Sequence, residues 1–156
     1  MAVFAFVMLL ICLIVLAATN ASGGQVSTRL VQAVRMVESH NGKTGDSGRA
    51  RSHWQLHRGA WEDVNRQRRR QRLKVYTWQS GTRNEYVSKV YARSYLQLLS
   101  DRISQGLKRP AKPREIYAAY NWGITRFSRV GFNWNHVPRV VRERAQRVEN
   151  LCQDSE

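Results

Sequence analysis

The order of apolar and polar residues divides the chain into an N-terminal apolar stretch and a longer part with helical periodicity. All residues from Ala2 to Ala18 are apolar, and the first charged side chain is Arg29. This stretch is longer than the apolar core of a typical signal peptide and slightly shorter than a typical membrane span. It favours a cleaved signal peptide, with an uncleaved membrane anchor as the alternative. Small and polar residues follow it, which favours cleavage after Ala21. The pattern therefore predicts a leader or anchor over residues 1–21 and one domain over residues 22–156.

The first helical pattern of that domain carries a carboxylate on its apolar side. Ser27 or Thr28 is suited to cap a helix that runs to about His40. Its apolar residues recur at helical spacing and are Leu30, Val31, Val34 and Val37. At about 100° per residue, Glu38 falls on the same face. Burial and the negative end of the helix dipole both raise the pKa of a carboxyl placed there.

The rest of the domain predicts further helices after one turn-rich insertion. Residues 41–59 contain four glycines and indicate a loop or a small β-hairpin. Helical patterns follow over about 61–74, 84–105, 113–120 and from Pro138 onward. The inward residues predicted for the last helix are Val140, Val141, Ala145, Val148 and Leu151. The predicted fold class is mainly α, or α+β, with a small loop or hairpin insertion after the first helix of the domain.

Composition and charge narrow the possible partners. The 156 residues are 42% hydrophobic, which excludes a disordered or low-complexity chain. Lys and Arg number 26 against 11 Asp and Glu, so the net charge of +15 indicates an anionic partner. Nucleic acid, anionic lipid and anionic cell-wall polymer all qualify. Of the two cysteines, Cys12 lies in the apolar stretch and Cys152 has no partner after cleavage, so no disulfide framework is predicted.

Three short segments carry the residues suited to chemistry: Val37-Glu38-Ser39, the Gly-rich Gly45 to Leu56, and Ala118-Ala119-Tyr120-Asn121-Trp122-Gly123. Together and in this order they resemble lytic transglycosylase domains of the lysozyme-like superfamily. Those domains have Glu-Ser at the end of a helix, a Gly-rich segment ending in Gly-Leu-Met-Gln, and a later Ala-Tyr-Asn-Ala-Gly. The resemblance extends over about residues 25–127 and implies an α+β lysozyme-like fold.

The resemblance implies cleavage of the β-1,4 bond between N-acetylmuramic acid and N-acetylglucosamine in peptidoglycan. A single glutamate, here Glu38, would act first as acid and then as base, activating the sugar's own hydroxyl to leave an anhydro product. Neither a metal nor a cofactor is expected. Asp46 is the nearest candidate for a second carboxylate, which would favour hydrolysis, but turn bonding is the more common use of such an aspartate.

Four further residues are predicted to support Glu38. Gln55 matches the terminal Gln of the second motif, and its amide can bond the substrate and the loop. Tyr120 is suited to donate its hydroxyl to the Glu38 carboxyl, and Asn121 to fix the backbone or a sugar amide. Ser39 can bond near Glu38 or simply cap the helix end.

Three positions depart from the family pattern. Ser52 stands where the family has glycine, which strains the backbone if that position requires a positive φ. Trp54 replaces methionine and is bulky enough to stack on a sugar, and Trp122 replaces alanine. A glycan-binding pseudoenzyme therefore remains an alternative.

Two non-catalytic functions compete with the enzyme. The six cations between Arg66 and Lys74 suit a nucleic-acid-binding protein or a cationic membrane-active protein, although neither explains the three motifs. His53 and His57 have the spacing of a metal pair but no matching third ligand. We expect an exported monomer in the periplasm, the cell envelope or the medium, acting on peptidoglycan, with nucleic acid not its partner.

Overall fold

The computed structural model describes residues 24–40 and 50–153, and these form a mostly helical domain with a small two-stranded antiparallel sheet. The longer helices are α1 (Thr28–His40), α2 (Arg58–Arg70), α4 (Glu85–Leu107) and α7 (Arg139–Gln153). The shorter elements are β1 (Ala50–Arg51), β2 (Leu56–His57), α3 (Trp78–Gly81), α5 (Pro113–Ala118), a π-helical turn (Ala119–Gly123), α6 (Ile124–Arg129) and a 3₁₀ turn (Trp134–His136). The predicted fold class is confirmed.

Helix α1 forms where the apolar spacing predicts it. The Ser27 hydroxyl accepts a hydrogen bond from the Leu30 amide at 3.1 Å and so caps the first turn. The apolar side of the helix is buried by α7 and α4. This packing fixes the end of α1, which carries Glu38, against the centre of the domain.

The insertion after α1 ends in a short hairpin. Ala50 pairs with His57 and Arg51 with Leu56, which leaves the turn Ser52–Gln55 between the strands. Trp54 and Leu56 are both buried in the core. The hairpin is therefore anchored by its own apolar side chains, and the turn is held against α1.

Aromatic packing joins α2 to α4. The rings of Trp61 and Tyr91 stack with their centroids 3.8 Å apart. Gly81 is required beside them, since a Cβ there would lie 2.2 Å from the Trp61 ring. Helix α4 starts where the sequence predicts, because the Asn84 side chain accepts a hydrogen bond from the Val87 amide at 3.0 Å.

Two predicted boundaries are wrong. Helix α2 begins at Arg58 and ends at Arg70 instead of reaching residue 74, and Arg72 lies in the left-handed region with φ 57°. The helical segment from Pro113 ends near Gly123 as predicted, since Gly123 has φ 99°, and α6 begins directly after it.

One predicted core position of the last helix is also wrong. Val140 is 58% exposed, because only one stripe of α7 faces α1 and α5 and Val140 lies outside it. Val141, Ala145 and Val148 are buried as predicted, and Leu151 is half-buried.

None of the helices within residues 24–40 and 50–153 is long and apolar enough to cross a membrane. The predicted leader or anchor over residues 1–21 lies outside the described residues, as does Asp46.

Candidate functional site

Glu38 lies in the last turn of α1 and is buried. Its residue exposure is 7%, although a carboxylate is among the groups least often found inside a protein. Its neighbours on this side of the helix, Val31 and Val34, are almost fully buried. The helical pattern therefore places the predicted carboxyl where the sequence analysis expects it.

Two side chains from the second half of the domain reach one oxygen of this carboxyl. The Tyr117 hydroxyl donates to Glu38 Oε1 at 2.8 Å, and the Asn121 Nδ2 donates to the same atom at 3.5 Å. Glu38 Oε2 accepts no hydrogen bond from the described residues. One oxygen is thus held in place, and the other is left to carry a proton.

Burial and the neighbouring groups together raise the pKa of the Glu38 carboxyl. Burial raises the pKa of Glu38 and outweighs the hydrogen bonds from Tyr117 and Asn121, which lower it. The charges of Arg144 and His57 also lower it, by less. The pKa of Glu38 is therefore above its ordinary value of 4.5. Such a carboxyl is suited to act as a general acid.

Tyr117 is a candidate site residue that the sequence analysis missed. Burial and the neighbouring Glu38 raise its pKa far above the ordinary tyrosine value, so its hydroxyl remains a donor throughout the physiological range. It precedes Asn121 by four residues, which is the spacing of side chains on one helix face. That spacing is the signal that points to it.

The predicted role of Tyr120 is wrong. Its hydroxyl donates to the Trp54 carbonyl instead of the Glu38 carboxyl. Its ring lies 6.4 Å from that of Tyr117, at an interplanar angle of 17°. Tyr120 therefore joins the hairpin turn to the helix that carries Tyr117, and it supports the site indirectly, through its contact with the Tyr117 ring.

The predicted sugar stacking by Trp54 is also wrong. Trp54 is 1% exposed, and its indole Nε1 donates to the Val31 carbonyl on α1 at 3.0 Å. A side chain this deeply buried has no face left for a ligand. Trp54 instead fills the core under the turn.

The turn Ser52–Gln55 adopts strained backbone conformations. Ser52 has φ 67° and Gln55 has φ 48°, both in the left-handed region. The position at which the family has glycine therefore does require a positive φ here. The Gln55 amide donates to the Ser52 carbonyl at 2.8 Å, which holds the turn closed.

A groove of about 780 Å³ runs beside this turn. Its walls come from α1, from the hairpin turn and from the link between α3 and α4, and they include Gln32, Met36, Ser39, Gln55 and Arg83. Glu38 is not among the residues that line this groove. Its side chain lies on an adjacent face of α1, where the carboxyl accepts the hydrogen bond from Tyr117.

Ser39 takes the helix-end role of its two predicted roles. Its hydroxyl donates to the Arg35 carbonyl at 2.6 Å.

The remaining predicted residues lie close to the site without bonding to Glu38. Trp122 is half-buried, and its ring lies 6.3 Å from that of Phe127. His53 and His57 lie at the hairpin, and within residues 24–40 and 50–153 no three His, Cys, Asp or Glu side chains form a group that suits a metal ion.

Comparison of the chain with protein-family models, with curated proteins and with solved structures gave no match. The function must therefore be inferred from the residues and their geometry.

Proposed function

We propose that this protein is an exported peptidoglycan-cleaving glycosidase of the lytic transglycosylase type, with Glu38 as its general acid and then its base. The observation that carries the proposal is the buried Glu38 carboxyl, with Tyr117 and Asn121 bonded to one oxygen and the second oxygen unoccupied by the described residues. Glycoside cleavage requires a carboxyl that is still protonated near neutral pH, and burial favours that form.

In the first step, Glu38 gives its proton to the bridging oxygen as the bond to C1 of the muramoyl sugar breaks. Tyr117 and Asn121 stabilise the carboxylate that this leaves, since both donate to Oε1. In the second step, the Glu38 carboxylate takes the proton of the sugar's 6-hydroxyl while that oxygen bonds to C1. The product is a 1,6-anhydro sugar, and Glu38 is again protonated.

The net charge of +15 supports this substrate. Peptidoglycan and its associated polymers are anionic, so electrostatic attraction concentrates a basic protein at the cell wall before a glycan strand binds in its active site. Most of the cations of the Arg66–Lys74 tract lie on the exposed surface. They are therefore available for this adsorption.

Mass spectrometry of purified peptidoglycan after incubation with the chain tests the proposal. We expect soluble muropeptides with anhydro ends. Fragments with reducing ends would show that water attacks, as in a lysozyme-type muramidase. The absence of soluble fragments between acid and neutral pH would contradict the proposal and favour a glycan-binding pseudoenzyme.

The exposed arginines of α2 favour polyanion binding as the second candidate function. In that case, neutral replacement of Arg68, Arg69 and Arg70 would abolish binding to DNA or anionic vesicles, and Glu38→Gln would leave it intact. The proposed enzyme predicts the reverse for glycan cleavage.

A further inference from the structure

A second groove, of about 580 Å³, lies between α2 and α4. One face of α2 and one face of α4 line it, together with Ile124 at the start of α6. Leu98 and Leu99 are among the apolar lining residues. The lining thus combines apolar side chains with charged side chains of both signs.

Several donors in the lining of the groove have no hydrogen-bond partner among the residues that the structure describes. Arg66 is paired with Asp63, so its charge is largely balanced. By contrast, the guanidinium groups of Arg70 and Arg102 make no ion pair or hydrogen bond with any part of the chain that the structure describes. The Tyr95 hydroxyl likewise has no hydrogen bond there.

Tyr95 remains a donor at neutral pH. Burial raises its pKa to about 12, and the nearby Asp63 acts in the same direction, against a smaller opposite effect of Arg102. Two guanidinium groups and a phenol hydroxyl together match an oxyanion, and the planar fork of arginine suits a carboxylate in particular.

This groove adjoins the Glu38 site. The Tyr95 ring lies 5.7 Å from that of Tyr120, whose ring in turn lies beside that of Tyr117. Ile124, which lines the groove, follows Asn121 by three residues across the break at Gly123. The groove and the Glu38 site are therefore connected by one aromatic cluster and by one short segment of the chain.

We propose that the α2–α4 groove binds the acidic stem peptide attached to the muramoyl sugar, with Arg70 and Arg102 holding its carboxylates. This inference rests on the proposed function, because it takes peptidoglycan as the ligand. The apolar lining residues suit the aliphatic parts of such a peptide. Arg70 and Arg102, which have no partner among the described residues, suit its carboxylates.

Binding of a disaccharide–tetrapeptide muropeptide to the full-length chain in mild detergent tests the inference. Glu38→Gln is introduced into every protein so that no turnover occurs. The first variant combines Arg70→Gln with Arg102→Gln. The matched control combines Arg69→Gln with Arg72→Gln, which removes the same amount of charge from exposed positions that do not line the groove.

We expect the groove variant to bind the muropeptide at least about tenfold more weakly, and the control to change it much less. Amidation of the peptide carboxylates should weaken binding to the parent protein by a similar factor and leave the groove variant unchanged. Thermal unfolding monitored by circular dichroism verifies that each variant is folded.

Three results would overturn the inference: equal losses in the groove variant and the control, equal effects of amidation on parent and groove variant, or inorganic phosphate that binds as tightly as the peptide. The disaccharide without peptide separates this failure from that of the proposed function. If it binds as tightly as the full muropeptide, the groove is not used and the glycan site stands. If neither ligand binds, the proposed function fails as well.

Discussion

At the scale of single residues, the site depends on one carboxyl whose pKa is subject to opposing effects. Burial favours the neutral form of Glu38, whereas Tyr117 and Asn121 favour the charged form. Burial is the larger effect, so the neutral form of Glu38 persists to a higher pH than that of an ordinary glutamate. In the proposed reaction, the two hydrogen bonds act mainly after the proton has left.

Replacement of Tyr117 by phenylalanine tests this division of roles. The ring and its packing remain, but the donor to Glu38 Oε1 is lost. We expect kcat for peptidoglycan cleavage to fall about tenfold or more at neutral pH, since a hydrogen bond to a charged group is worth about 1.5–3 kcal/mol.

The pH profile of the same variant provides a second readout. Loss of a bond that lowers the pKa of Glu38 leaves that pKa still higher, so the alkaline limb of activity should move to higher pH. Tyr120→Phe is the matched control, because its hydroxyl bonds to Trp54 instead. An unshifted alkaline limb in Tyr117→Phe would contradict the assigned role.

At the scale of elements, the π-helical turn Ala119–Gly123 sets which side chains reach Glu38. Tyr117 in α5 and Asn121 in the turn both point to Oε1. The turn ends at Gly123, whose φ of 99° allows the chain to enter α6. Such π-helical turns occur frequently at functional sites.

Replacement of Gly123 by alanine should disturb this geometry. A Cβ at this position meets nothing within 4 Å, so the effect is purely that of a positive φ. We expect a loss of about 1–2 kcal/mol in the free energy of unfolding, measured with denaturant, together with reduced cleavage. Gly59→Ala is the control, since its Cβ also has open space but the backbone is helical. Equal stability of the two variants would contradict this reading.

The same elements show which features of the site can be predicted from the local spacing of apolar residues. Helix α1, its cap and the burial of Glu38 follow from apolar spacing over a few turns, and so they could be predicted. The choice of Tyr117 over Tyr120 as the partner of Glu38 is harder to predict. The four-residue spacing to Asn121 favours Tyr117, but the sequence does not reveal the π-helical turn, which changes the phase of the side chains. The burial of Trp54 could not be predicted for another reason. It depends on a contact with Val31, which is 23 residues away in the sequence.

At the scale of the whole molecule, the site lowers stability at neutral pH. The pKa of Glu38 in the folded chain is above its ordinary value of 4.5, so the native state binds this proton more tightly than the unfolded state. Stability must therefore fall as the pH rises from about 4.5 through the folded pKa. The loss is about 1.4 kcal/mol for each unit by which the pKa is raised.

Chemical denaturation across pH checks this linkage. Glu38→Gln preserves the acceptor for Tyr117 and removes the titration, so it should match the parent at acid pH and be more stable near pH 7. Glu115 provides a control of opposite sign. Although burial raises its pKa, bonds from Arg109 and from the Lys112 amide lower it overall. Glu115→Gln should therefore destabilise the protein at neutral pH and lose that effect as the pH falls. A Glu38→Gln variant less stable than the parent near pH 7 would contradict the account.

Release of soluble muropeptides from purified peptidoglycan by the parent chain and by Glu38→Gln tests the central claim most directly. Glu143→Gln is the control, because that carboxylate is exposed and forms an ion pair with Arg139 on the surface of α7. We predict that Glu38→Gln releases nothing above background while Glu143→Gln matches the parent chain. Muropeptide release by Glu38→Gln at the rate of the parent would contradict the assignment of Glu38 as the proton donor.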